Sequence, residues 1–157
     1  ASHLAEHRFV VEVARRLRQA GVAARFDAIA PRGVRGLWRE VPEAQLRAPL
    51  DWPSFRALGD SLEADLLLAP LEDTALNRAR SATKAIDAAR LGAAGLFADL
   101  EPYAPLAGHA PLLPRDPAAW AQAIAALDAD RAGLAAARVR LRAAVEAWPA
   151  TADWPAA

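Results

Sequence analysis

The sequence predicts an α/β fold built as a doubly wound parallel sheet, and three observations predict it. Short continuous apolar runs, ADLLLAP over 64–70 and AAGLFA over 93–98, are bounded by turn residues, as strands covered on both faces are. Segments with helical periodicity alternate with those runs, which indicates such a sheet. The length, 157 residues, fits one domain with a core of its own.

The elements follow in order. Residues 4–20 carry Phe9, Val10, Val13 and Leu17 on one stripe, which predicts an amphipathic helix stopped by Gly21. VAARFDAIA (22–30) reads as a strand ended by Pro31-Arg32-Gly33, and VRGLWREV (34–41) as a second strand. The stretch 42–52 reads as a loop. Pro53 to Leu62 reads as a helix that admits proline in its first turn. After strand 64–70, residues 71–80 read as a polar loop. Ser81 is placed to cap a helix that runs to Leu91 and closes at Gly92. Strand 93–98, a turn at EPYAPL and a strand fragment at 111–114 follow. Asp116-Pro117 then starts a helix with Trp120, Ala123, Ile124 and Leu127 on one face. A last helix over about 131–148 carries Leu134, Leu141, Val145 and Trp148. Residues 1–148 are thus expected to form the domain and 149–157 a loose tail rich in Pro and Ala.

Composition narrows the function classes. Apolar residues make up 54% and charged residues 24%, a globular balance. No apolar run is long enough to span a bilayer, and no leader pattern is visible. The absence of Cys excludes disulfides, thiolate metal sites and cysteine nucleophiles. Three His, at 3, 7 and 109, offer no metal centre. Lys and Arg balance Asp and Glu, 19 against 19, so no basic footprint for nucleic acid exists. Lys84 is the only lysine beside 18 arginines. The chain opens on a helix, whereas doubly wound folds begin on a strand, and Met is absent even at position 1. Both features lead us to expect a piece of a longer chain whose first strand lies upstream.

Ligands of open α/β sheets bind outside the carboxyl ends of the strands. There, after strand 64–70, a helix starting at Ser81 would aim its free N–H groups at the crevice, where a phosphate binds readily. Arg78, Arg80 and Lys84 crowd that same end, against the preference of the helix dipole, and a bound anion would resolve the conflict. Asp87, one turn deeper, could accept hydrogen bonds from a ribose diol. The plain alternative is an exposed Lys84–Asp87 pair worth about 0.2–0.5 kcal/mol and a solvated arginine loop.

The run from 64 to 106 resembles the donor-site segment of bacterial group 1 glycosyltransferases. These are retaining enzymes of two Rossmann-like domains (the GT-B fold). The resemblance rests on Ala69-Pro70-Leu71, Asn77-Arg78, Arg80-Ser81, Lys84, Asp87 and the Ala89–Gly92 turn. It extends to Leu113-Pro114-Arg115-Asp116-Pro117 with Trp120, and at the front to Ser2-His3-Leu4 with Glu6. It implies a Rossmann-like C-terminal domain whose donor substrate is a nucleoside diphosphate sugar. Arg80 and Lys84 would be the catalytic cations that stabilise the departing diphosphate, with no metal and no other cofactor. Asn77, Arg78, Ser81, Asp87, His3 and Tyr103 would bind the donor. The resemblance also implies a separate N-terminal acceptor-binding domain and a role in surface polysaccharide assembly. A cytoplasmic location is implied too, with peripheral association of the full-length protein at the inner face of the membrane. Two positions depart from the family pattern: Ala79 stands where its first Glu falls, and Asp87 replaces the second. The alternative expectation is therefore a non-catalytic Rossmann-like module of a larger polysaccharide-assembly protein. Glu72 and Asp73 could touch the sugar or pair with Arg78, and His109 reads as a loop residue.

Overall fold

A computed structural model describes residues 3–148. Ser2 and the expected tail, 149–157, lie outside the described residues. The chain is mixed α/β, with helices on both faces of parallel strands. The first helix, α1 (Leu4–Gln19), buries Phe9, Val13 and Leu17 of the expected stripe together with Val11 and Ala14, while Val10 is half-buried. It turns at Gly21, whose φ of 72° suits glycine. Strand β1 (Phe26–Ile29) follows, then a 3-10 helix (Arg32–Glu40), strand β2 (Ala44–Arg47) and helix α2 (Trp52–Ser61). Asp51 caps α2 by accepting the Ser54 N–H at 2.8 Å.

Two expectations fail in this stretch. Residues 34–40 are helical rather than extended, because the apolar residues here recur at 34, 37, 38 and 41, a helical spacing. The expected loop 42–52 contains β2, which pairs in parallel with β1 from Phe26↔Ala44 to Ile29↔Arg47. Pro42 and Pro49 flank this strand without interrupting it. Arg47 grips the carboxylate of Asp27 across the two strands with contacts of 2.7–3.0 Å.

The second half holds strand β3 (Leu66–Ala69), the one-turn helix α3 (Ala75–Arg78) and helix α4 (Thr83–Arg90). Strand β4 (Ala94–Ala98), a 3-10 helix (Glu101–Leu106), strand β5 (Leu112–Leu113) and helices α5 (Pro117–Ala129) and α6 (Arg131–Glu146) complete it. The single expected sheet is divided in two, β1-β2 and β3-β4-β5, with every pairing parallel. Side chains alternate across the larger sheet as a two-residue period requires. Leu66, Leu68 and Leu96 pack against Val13, Leu17, Trp120 and Ile124 of α1 and α5. Leu67, Ala69 and Phe97 pack against Ala85 and Ala88 of α4 and Leu141 of α6. All five residues of β4 are buried, which explains their uninterrupted apolar run. Each fully buried large side chain here contributes about 1.5–3 kcal/mol.

Candidate functional site

The loops leaving the carboxyl ends of the strands meet at one opening. Beyond β3, Thr74 caps α3 by accepting the Asn77 N–H at 3.2 Å. The buried Asn77 side chain donates to the Glu72 carbonyl at 2.8 Å, which folds the loop back on itself. Arg78 is closed by two carboxylates: Asp73 at 2.6 and 2.7 Å and Glu101 at 2.7 Å. The guanidinium holds the Asp73 carboxyl below the usual carboxylate range. Neither Asn77 nor Arg78 lines the opening. The structure uses both to shape the loop rather than to present them to a ligand.

The expected cap at Ser81 is also corrected. Helix α4 begins at Thr83, its N-cap position is Ala82, and no side chain caps it. The Ser81 and Thr83 hydroxyls bond to each other at 2.6 Å instead. The start of α4 therefore keeps uncapped N–H groups beside the opening. In α2, α3, α5 and α6 a Thr or Asp side chain takes that place.

Arg80, Ser81, Thr83, Lys84, Asp87 and Tyr103 line one cavity of about 1270 Å³. Lys84 donates to Asp87 Oδ2 at 2.8 Å, and its ammonium lies 5.7 Å from the Phe55 ring centre. Asp87 is only 6% exposed while the Lys84 side chain is 53% exposed, so the carboxylate is set into the wall and the ammonium reaches it from the solvent side. Among the described residues Arg80 makes no side-chain hydrogen bond or ion pair. Tyr103 is buried against Phe97, with ring centres 4.8 Å apart. Burial pushes its phenol up to about 12, with Arg80 pulling it down and Asp87 pushing it further up. On the opposite lip His3 is exposed, with a left-handed φ of 66°, and its ring lies 3.8 Å from Glu6. Glu6 in turn accepts the Glu72 N–H at 3.4 Å.

The opening thus gathers His3, Arg80, Ser81, Lys84, Asp87 and Tyr103 of the sequence-predicted residues. Glu72 and Asp73 are exposed on the outer loop, and His109 lies away from the opening. Thr83 and the aromatic edge at Phe55 were missed. Thr83 sits two residues from the assumed cap, and Phe55 is three residues from Trp52, against which it stacks at 5.8 Å. Among the described residues no cluster of three or more acidic or His side chains could hold a metal ion. No helix of these residues is long and apolar enough to cross a membrane. Comparison of the chain with family models, curated proteins and solved structures gives no match in any of the three.

Proposed function

We propose that this opening binds the diphosphate of a nucleoside diphosphate sugar, and that the chain is the Rossmann-like donor-binding half of a retaining glycosyltransferase. One observation carries the reading: Arg80, with no side-chain partner among the described residues, stands at the uncapped start of α4, and the Asp87 carboxylate lies in the same cavity. The free N–H groups and the guanidinium suit a diphosphate. Asp87 accepts from Lys84 at Oδ2, and among the described residues nothing donates to its Oδ1, which can accept a ribose hydroxyl. In the reaction the bond between the sugar's anomeric carbon and the diphosphate oxygen breaks, an acceptor hydroxyl oxygen bonds to that carbon with configuration retained, and the hydroxyl proton passes to the departing diphosphate. Arg80 and Lys84 would stabilise the negative charge that gathers on the departing diphosphate. The acceptor site would lie on a separate domain, and the setting would be surface polysaccharide assembly.

A second reading, a non-catalytic module, is favoured by the two carboxylates that close Arg78 and by the contact between Lys84 and Asp87. A thermal-shift titration with uridine and guanosine diphosphates separates the two. The donor-site reading expects a rise in melting temperature that Arg80→Ala or Lys84→Ala abolishes and Arg78→Ala keeps. No rise at millimolar nucleotide, or loss with Arg78→Ala alone, overturns it.

A further inference from the structure

Below its mouth the same cavity runs between two strands as a slot. It is lined by all of β1 and all of β3 and by no residue of β4 or β5. Each of the two strands pairs on one side only, β1 with β2 and β3 with β4. The direction of the free groups can be read from the ladders. Ala30 donates to the Arg47 carbonyl and Ala94 to the Asp65 carbonyl, so those residues face the existing partners. Alternate strand residues face opposite edges. The N–H and C=O of Asp27 and Ile29, and of Leu66 and Leu68, therefore point into the slot. Among the described residues no turn or loop hydrogen bond takes them up. Such groups, when covered, are nearly always paired.

The walls are also those of a strand's place. Val10, Ile124 and Leu127 of α1 and α5 form one side, and Phe55, Leu58 and Leu91 of α2 and its neighbours form the other. Helix α2 turns Phe55 and Leu58 to the slot and yet buries neither of them. Leu66, Leu67 and Leu68 are only half-buried, whereas the adjacent β4 is buried throughout. Both bordering strands run toward the start of α1. His7 there accepts a hydrogen bond from Trp38, in the 3-10 helix that follows β1, and Glu6 accepts one from Glu72, three residues past β3. One strand residue between packed layers fills about 160 Å³, from a rise of about 3.3 Å, a strand spacing of about 4.8 Å and a layer spacing of about 10 Å. About five residues would fit within the 1270 Å³ and leave the mouth open.

We propose that the slot is the seat of a β-strand supplied by polypeptide N-terminal to Ala1. It runs parallel to β1 and β3, pairs with both, and ends beside His3. Its residues are uncharged and apolar toward both faces. With α1 and β1 it forms a β-α-β unit, the connection that parallel strands require. The stretch 149–157 is unsuited to the slot because Pro149 and Pro155 each lack a donor. Filling the slot does not depend on what the mouth binds.

The test extends the chain before Ala1 by a short strand rich in valine and isoleucine. A second chain carries proline at the centre of that strand, and a third carries the strand after Ala157. Amide hydrogen exchange at Asp27, Ile29, Leu66 and Leu68 is the readout. The proposal expects exchange at these amides to slow by at least about tenfold in the first chain alone, with a raised melting temperature. Equal exchange in the first and second chains overturns it, as does equal protection from the C-terminal position. Protection that grows with protein concentration in the unextended chain would assign the slot to a second copy and also overturns it.

Discussion

Tyr103 is the only tyrosine in the chain, so its ionisation can be followed by ultraviolet absorbance without assignment. Its phenol is raised from 10.0 to about 12, chiefly because the buried ring would carry an ill-solvated charge. A group with a raised folded value and an ionisable phenol loses its proton first in the unfolded chain. Stability is therefore fully present below pH 10 and falls as pH climbs toward 12. At 1.36 kcal/mol per unit, the whole loss is about 3 kcal/mol. Urea unfolding across this window should show that slope, and Tyr103→Phe should remove it. Two neighbours fix the geometry of the mouth in the same titration. Arg80→Ala removes a charge that favours the phenolate and should move the midpoint up, whereas Asp87→Asn should move it down. A folded-state midpoint near 10, or one unmoved by Arg80→Ala, would refute the placement of Arg80 beside Tyr103.

Two further predictions follow from packing and charge. A Cβ added at Gly95 would overlap the Phe97 ring and approach Leu141 Cδ2 to 3.1 Å. Phe97 is fully buried against Tyr103, so Gly95→Ala should cost about 2 kcal/mol by overpacking. That corresponds to a melting temperature lower by about 4–8 °C. Adding Phe97→Leu should recover part of the loss in a double-mutant cycle, and strict additivity would show the clash is absent. His7 Nδ1 accepts the Trp38 indole N–H at 3.1 Å, and burial lowers its pKa, with His3 adding to the lowering and Glu6 opposing it. The unfolded chain thus takes up the proton first. Stability should be flat above the ordinary value of 6.5 and fall as pH drops below it, until the folded imidazole also protonates. His7→Phe should flatten that dependence in urea midpoints measured across the window, and an unchanged slope would count against the burial of His7.

Elements whose patterning is local and strong were legible in the sequence. The stripe of α1, the run 93–98 and the Asp116-Pro117 start of α5 each carry their own signal, and each falls within a few residues of its expected place. Strand β2 carries none: it is extended because β1 pairs with it and Asp27 holds Arg47. The helical spacing over 34–41 was present in the residues but was outweighed by their β-branched and aromatic character. At the site, the gathering of Arg80, Ser81, Lys84 and Asp87 follows from helical spacing after a strand end. The withdrawal of Arg78 does not, because Glu101 lies 23 residues away and its approach depends on how the strands align. The missed role of Thr83 has a simpler cause. Ser81 and Thr83 are both of a capping type, and sequence alone does not show that their hydroxyls bond each other and leave Ala82 at the N-cap position.

The most direct test of the donor-site reading is to map amide chemical shifts while a nucleoside diphosphate is added to the chain. The account expects saturable shifts at Thr83, Lys84 and Asp87 and at the Tyr103 ring. Residues around the closed Arg78 pair should move little, and the response should vanish in Arg80→Ala. Shifts confined to other surfaces, or none at millimolar ligand, would contradict it.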